Sequence, residues 1–474
     1  MSEVYDAVVV GAGPNGLAAA VELARNGRSV AVLEAQETIG GGVRSAEVTL
    51  PGFVHDLGSA IHPLGFASPF FKSLPLEEHG LEWVHPTAPL AHPFDDGTAA
   101  VLERSVAATS ETLGPDARAY RKLMQPLAED SPGIATSLLG TLRVPRHPFA
   151  LSANGLRAMR PAGALAESLF EGEKARGLFA GNAAHSFLPL GQRPSAMFGL
   201  LLGTLGHAFG WPFPKGGSQK LADALVSYLR LLGGEVYPGV QVDSVDEVPE
   251  TRTVLFDVTP RQLLKIAGEH FTECYRDALE RYRYGPGVFK VDFALDAPVP
   301  WKAEECFRAG TVHLGGTLHQ VSCGEAAVGR GEHPDRPFVL LAQQSLFDPT
   351  RAPQGKHTVW AYCHVPNGST FDMTGRIEDQ IERFAPGFKE RILAKTAMST
   401  ADLERGNANL VGGDINGGYM DLRQLFTRPV PRLNPYSTPA NGLYICSSST
   451  PPGGGVHGMC GFLAARTALR YLAT

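Results

Sequence analysis

The chain has 474 residues, 43% of them hydrophobic, enough for two domains with substantial cores. A formal net charge of −6 without any basic block excludes a nucleic-acid partner. Six cysteines, at 274, 306, 323, 363, 446 and 460, form no CxxC pair, which excludes a disulfide framework and a zinc site, so no metal is expected.

The first strand is predicted to begin at residue 5, leaving no room for a signal peptide, so the chain reads as cytoplasmic. Ala7-Val8-Val9-Val10 is an apolar run, and Gly11-Ala12-Gly13-Pro14-Asn15-Gly16 follows at once. Leu17, Ala20, Val21 and Ala24 then recur at helical spacing until Asn26-Gly27. Val30-Ala31-Val32-Leu33 is a second strand ending on Glu34-Ala35. Gly11 permits a tight turn, Gly13 admits a pyrophosphate close to the backbone, and Gly16 lets the helix pack on the strand. The free N–H groups at the start of the helix and its positive end would face the phosphates. Glu34 lies 18 residues after Gly16, where a carboxylate accepts from ribose hydroxyls and repels a 2′-phosphate.

Gly40-Gly41-Gly42-Val43-Arg44-Ser45 follows the acid. With this segment in place, the chain resembles the FAD-dependent amine oxidase and phytoene desaturase superfamily. The resemblance implies FAD rather than NAD, and assigns Glu34, Ala35, Gly41, Gly42, Val43 and Arg44 to the FAD site. Arg44 would lie near the pyrophosphate; the plainer alternative is a solvated surface arginine. Pro51–Ser59 matches a loop that passes close to the flavin ring in that group, which adds Ser59 to the site. His62, three residues on, is a candidate base, although a packing role fits any one of 15 histidines.

Residues 67–204 read as a helical insertion covering the flavin domain, with helices over 107–127 and 164–179 and scarce strand alternation. Ala183-Ala184-His185 and 194–205 line a cavity or, as the favoured reading, form an ordinary helical core. The apolar stretch 197–213 is broken by Gly199, Gly203, Gly206, Gly210 and Pro212, so it cannot span a membrane. Peripheral membrane contact through an apolar patch stays open.

Trp211-Pro212-Phe213-Pro214-Lys215-Gly216-Gly217-Ser218 leads into a helix carrying Leu221, Ala224, Leu225, Tyr228 and Leu229, with Ser218 as N-cap. A strand follows through Val236 and Val240–Val245. This again resembles the phytoene-desaturase-type enzymes, in which backbone groups at the position of Val242 clasp the adenine. A strand over 252–259 returns the chain to the flavin sheet, and 262–282 reads as helix.

Strands at 288–295, 337–342 and 357–364 build the second domain's sheet, the first alternating as a half-buried strand should. Helices at 373–384 and 388–395 follow, then a Gly/Asn-rich loop at 407–419 beside the cavity. Trp360 and Tyr362 either flank a flavin ring or simply pack in their strand.

Leu443-Tyr444-Ile445-Cys446 is a short buried strand, Ser447–Gly458 a glycine-rich turn, and Met459–Leu472 an apolar helix. The resemblance implies that this segment closes the flavin site through Gly455, Val456, His457 and Gly458. The positive end of the last helix would stabilise charge on the reduced ring. Phytoene desaturases commonly have His-Pro before the three glycines and Pro after the valine; here Pro451-Pro452 stands before and His457 after. That argues against a strict carotenoid substrate and makes His457 a second catalytic candidate.

The expected fold is α/β: a Rossmann-type FAD-binding domain of the glutathione reductase-like, amine oxidase type, built discontinuously from 1–66, 205–260 and 435–474. An α+β substrate domain with a mixed sheet and the helical insertion would take 67–204 and 261–434. The expected function is an FAD-dependent oxidoreductase of the phytoene dehydrogenase-like type. A C–H of an apolar or amphipathic small molecule would lie about 3–3.5 Å from flavin N5 for hydride transfer. Electrons would leave to oxygen or a quinone. The alternatives are a flavin amine oxidase and a non-redox lipid carrier of the GDP-dissociation-inhibitor type. Oligomeric state, substrate identity and direction of reaction are not legible.

Overall fold

The computed structural model describes residues 4–140 and 154–473. Two sheets organise them. The first is five-stranded and all parallel, in the order Leu443–Ile445, Glu250–Phe256, Val4–Val10, Val30–Leu33, Glu235–Tyr237. Parallel strands covered on both faces must be apolar throughout. Val8, Val9, Ala31, Val32, Leu255 and Phe256 are accordingly all buried.

The first helix, Pro14–Arg25, packs against two partners, the last helix Met459–Leu472 and the helix Gln219–Leu231. Small residues make this close approach possible. Ala18 and Ala19 meet a face carrying Gly461, Ala464, Ala465 and Ala468. A Cβ on Gly461 would lie 1.8 Å from the Asn15 carbonyl oxygen, so only glycine fits there.

The second sheet is seven-stranded and mixed, in the order Ile392–Met398, Gly287–Leu295, His357–Val365, Val339–Ala342, Ala309–Leu314, Ala88–Pro93, Ala99–Leu102. All pairings are antiparallel except that of Ala309–Leu314 with Ala88–Pro93. One face packs on the helix Thr374–Phe384 through Val291, Phe293, Leu341 and Val359. Against the other lie helices Ala117–Glu129, Ala162–Leu169, Glu173–Ala184 and Ser195–Phe209, sharing a core with Leu90, Leu102, Val288 and Tyr362.

Several expectations need correction. The 67–204 region is not purely helical: it supplies two strands of the second sheet, and Trp83–Val84 pairs with Phe213–Pro214. The 388–395 segment is a short 3₁₀ turn at Lys389–Arg391 followed by the edge strand Ile392–Met398. Its Leu, Ala and Lys residues favour helix, but pairing with Gly287–Leu295 overrides that weak preference. The strand expected through Val245 stops at Tyr237, where Pro238-Gly239 turns the chain. Strand Gly287–Leu295 is buried along its whole length rather than half-buried, because both faces are covered. The long helices at 107–127, 164–179 and 262–282 are each broken in two, at Gly114-Pro115, Phe170–Gly172 and 268–272. Strand Ala309–Leu314 was not anticipated. Among the described residues no helix is long and apolar enough to cross a membrane.

Candidate functional site

The carboxyl ends of the parallel strands open on a cavity of about 860 Å³ that continues between the two sheets. At its first end the glycine turn is wound as its residues require. Gly11 adopts φ +103° and donates to Leu33 O at 2.8 Å. A Cβ on Gly16 would sit 2.0 Å from Gly11 O, so the helix start can press on the turn only as glycine. Glu34 ties the turn to the second strand: Oε2 accepts from Ala12 N at 2.7 Å and Oε1 from Gln36 N at 2.9 Å.

The second glycine cluster lies over the first. Gly40 N donates to Ala12 O at 2.9 Å, and a Cβ on Gly41 would reach Gly13 Cα at 3.0 Å. Ser59 N donates to Gly42 O at 2.8 Å. Arg44 donates to Gly406 O at 2.6 Å and Gly41 O at 3.2 Å. Burial lowers the pKa of its guanidinium, partly offset by Glu34. Arg44 pairs with no carboxylate among the described residues, so its charge is available to an anion in the cavity.

Asp257, at the end of strand Glu250–Phe256, completes this end. Its Oδ2 accepts from Gly16 N at 2.9 Å, and a Cβ on Gly13 would meet that oxygen at 2.7 Å. Burial pushes its carboxyl up to about 7, the Gly16 N–H opposing and Glu34 assisting.

The C-terminal glycine loop forms one wall. Gly453 and Gly455 adopt φ +110° and +116°, and left-handed Gly458 starts the last helix. His457 Nδ1 accepts from Met459 N at 3.0 Å, while Nε2 donates to Gly453 O at 3.2 Å. Burial depresses the ring to about 4, so it is neutral. Both nitrogens are engaged by the loop itself, which makes His457 a positioning residue for the helix N-terminus. His62 lines the same cavity. Its Nε2 is 2.8 Å from Ser218 Oγ, its Nδ1 is buried without a partner, and burial depresses it to about 4.

Behind His62 lies a buried charge network. Asp56 pairs with Arg351 and accepts from Ser45 Oγ at 2.7 Å, Ser218 N at 2.8 Å and Gln344 Nε2 at 3.1 Å. Burial alone would raise its pKa; Arg351 and these hydrogen bonds overcome it and hold the carboxyl below its ordinary value. Nearby, Lys290 and Asp292 form a second buried pair. Burial lowers the ammonium and pushes the carboxyl up to about 6, so the pair is driven towards neutrality. Lys290 Nζ stands 6.0 Å from the Trp360 ring centroid, and Trp360 Nε1 donates to Gly58 O at 3.1 Å. Trp360 and Tyr362 meet edge to face at 5.0 Å, and both line the cavity.

The far end is largely apolar, walled by Phe187, Met197, Phe198, Leu201, Trp211 and Leu340, and His185 and Thr311 are polar residues of the same cavity.

Of the residues expected at the cofactor, Gly11, Gly13, Pro14, Asn15, Glu34 and Ala35 line the cavity, as do Gly41, Gly42, Arg44, Ser59 and Val242. Gly455, Val456 and His457 line it too, and so does His62. Gly16, Val43 and Gly458 do not. Gly16 closes on Gly11, Val43 turns into the core, and Gly458 packs on Phe71 and Ala18. Val242 sits in an extended loop rather than on a strand. His185, Met197, Phe198, Leu201 and Leu202 line the cavity, whereas Ala183 and Ala184 are core, so that region is both things at once. The sequence reading missed Asp257 and Lys290. The available signals were an acid ending an apolar strand that follows a glycine turn, and a Lys-x-Asp pair inside a wholly apolar strand.

The residues present fit an extended dinucleotide: a glycine cradle that a Cβ would fill, Glu34 at the ribose position, and an arginine without a carboxylate partner. A family model described as an NAD(P)-binding Rossmann-like domain matches residues 9–74. The chain is 30% identical to pyridine nucleotide-disulfide oxidoreductase domain-containing protein 2 of Rattus norvegicus, covering 99% of this chain and 94% of the relative. It is 25% identical to a neurosporene-forming phytoene desaturase of Rhodobacter capsulatus, covering 96% and 92%. Among solved structures, putrescine oxidase bound to putrescine superposes with a TM-score of 0.62 at 18% identity, covering 99% of each chain.

Proposed function

Because the chain belongs to the family of pyridine nucleotide-disulfide oxidoreductase domain-containing protein 2, phytoene desaturase-like oxidoreductases of the amine oxidase superfamily, we propose that it is an FAD-dependent enzyme. It moves a hydride between an apolar or amphipathic small molecule and flavin N5, and passes electrons to oxygen or a quinone. The observation that carries this reading is the single cavity joining Gly11–Asn15 and Gly41–Arg44 with Gly454–His457, which lies more than four hundred residues further along the chain.

The bound flavin supplies the hydride acceptor. The chain's own residues supply position and field. Glu34 would accept from the ribose, and Arg44 with the first helix's N-terminus would balance the pyrophosphate charge. The last helix, held by His457, aims its N-terminal amides at the cavity and stabilises negative charge there. Phe187, Met197, Phe198 and Leu201 exclude water from the substrate end. Lys290, tied to Asp292 and beside Trp360, is the one ammonium group lining the cavity among the described residues.

A second reading, amine oxidation, is supported by the perpendicular Trp360 and Tyr362 rings, which offer aromatic faces to a neutral amine. The absorption spectrum of the purified protein tests the main proposal. Flavin bands, with FAD released on denaturation and identified by mass, are the expected result. A colourless protein that takes up no FAD on reconstitution would refute it. Anaerobic bleaching by amines rather than by neutral apolar compounds would select the second reading.

A further inference from the structure

Among the described residues two arginines are buried, Arg351 and Arg428, each 1% exposed. A guanidinium keeps its proton even there, so its charge must be balanced or the site bears a cost. Arg351 is balanced by its ion pair with Asp56. Arg428 has only neutral partners among the described residues. Its Nη1 donates to Ser448 O at 3.3 Å, and its Nη2 to Gly418 O at 3.3 Å and Met420 Sδ at 3.2 Å. Its Nε is buried without a hydrogen-bond partner.

The surrounding loops show what this cation faces. Arg428 follows the short helix Leu422–Thr427, and its guanidinium reaches under the glycine loop that leads into the last helix. Gly453 adopts φ +110° there, and a Cβ on it would lie 2.5 Å from Arg428 Nη1, so the loop closes over the guanidinium only as glycine. Gly417, Met420, Ser448 and Gly454–His457 line the cavity, whereas Arg428 does not. Its charge therefore stands one layer of residues behind the wall that carries the last helix's N-terminus.

The titratable groups around it leave that charge without a contact counter-ion. Tyr282 donates its hydroxyl to Gly417 O at 2.6 Å, and burial raises its phenol to about 12, Arg428 opposing. Burial raises the Cys460 thiol to about 11 and depresses the His457 ring to about 4, so all three are neutral near pH 7. Asp414 accepts from Gly285 N at 2.8 Å and Asn416 N at 2.7 Å. Burial raises its carboxyl, with those N–H groups and Arg428 opposing, and it forms no ion pair with the guanidinium.

A cation fixed behind a water-poor wall lowers the energy of negative charge that develops in front of it. Resting on the function proposed above, in which negative charge collects before the last helix, we propose that Arg428 raises the reduction potential of the bound flavin by balancing the charge the ring gains. A hydride brings two electrons and one proton, so its uptake leaves one net negative charge on the ring. The last helix offers a partial positive charge at this wall, and Arg428 adds a whole one. It acts through the wall, touching neither flavin nor substrate. Unit charges about 10 Å apart at an effective dielectric of about 20 shift an equilibrium by about tenfold.

The test is the redox equilibrium between the FAD-loaded protein and a reference dye of known potential, followed by absorbance in wild type, Arg428→Gln and Arg428→Met. Glutamine keeps N–H donors and removes the charge; methionine removes both. Both variants are expected to lower the reduction equilibrium constant by at least about tenfold, about 30 mV for two electrons. A glutamine variant that keeps the wild-type equilibrium, whatever methionine does, assigns Arg428 to hydrogen bonding alone and overturns the proposal. Wild type provides a second measurement that needs no variant to fold. Between pH 5 and 6.5 a ring held as an anion takes up one proton per two electrons, and the equilibrium constant changes about tenfold per pH unit, about 30 mV. Uptake of two protons, seen as about a hundredfold change or about 60 mV per pH unit, overturns the proposal. A protein that takes up no FAD sinks the proposed function and this inference with it. A yellow protein with an unchanged glutamine variant sinks this inference alone.

Discussion

Asp257 offers a quantitative test of how the dinucleotide end is built. The perturbation is Asp257→Asn, which keeps an oxygen to accept the Gly16 N–H and removes the charge. Burial pushes the wild-type carboxyl up to about 7 from an ordinary value near 4. The native pKa therefore lies above the unfolded one. Between about pH 4 and 7 the native state holds a proton that the unfolded chain has lost, so stability is greatest below pH 4 and falls as pH rises through 7. At about 1.4 kcal/mol per pKa unit, the charged side chain costs the native state about 4 kcal/mol at pH 8, taken as an upper bound. Urea unfolding of the flavin-free protein at pH 5, 6, 7 and 8 is the assay. The asparagine variant should exceed wild type by about 1 kcal/mol at pH 5, and its advantage should grow by about 2–3 kcal/mol by pH 8. A pyrophosphate bound at the same glycine turn, as proposed above, would raise the Asp257 pKa further. Wild-type affinity for FAD, followed by quenching of flavin fluorescence, should therefore fall from pH 6 to pH 8, while that of the variant stays flat. Parallel stability profiles for the two proteins, or a variant weaker at every pH, would show that burial does not raise the Asp257 carboxyl.

The other expectations concern packing and pairing. Arg351→Leu leaves the Asp56 carboxylate buried without its counter-ion and should cost about 3–5 kcal/mol in urea unfolding near neutral pH, the loss shrinking as acid protonates Asp56. Gly461→Val drives a side chain into the Asn15 carbonyl and should destabilise by about 1–3 kcal/mol or more, with weakened FAD retention on gel filtration. His457→Ala leaves the Met459 N–H unpaired and should cost about 1–3 kcal/mol. Because that ring is already neutral, the pH profile of flavin reduction between 5 and 8 should keep its shape in the variant; loss of a titration step there would instead make His457 an acid–base catalyst.

The parts of this protein legible from sequence alone are those whose conformation is decided locally. Gly11, Gly13 and Gly16 announce a turn because only glycine can take the backbone angles and close approaches that such a turn imposes. The apolar runs Val8–Val10, Val30–Leu33 and Leu443–Ile445 announce buried parallel strands because both faces of that sheet are covered. The final helix emerged with its bounds intact, since Gly458 and the spacing of Ala464, Ala465 and Ala468 are local signals too. What tertiary structure alone decided is non-local. Ile392–Met398 is made of helix-forming residues, yet an open edge of the second sheet pairs it as a strand. Ala88–Pro93 and Ala99–Leu102 join that sheet from inside a largely helical region. Lys290 and Asp292 look like an exposed face until the layer over them is known, and Asp257 becomes an unusual acid only when the fold buries it beside Glu34. Backbone conformation is set by neighbours in sequence, whereas charge and access are set by neighbours in space. The cradle could thus be read from the chain, while the chemistry facing its substrate required the fold.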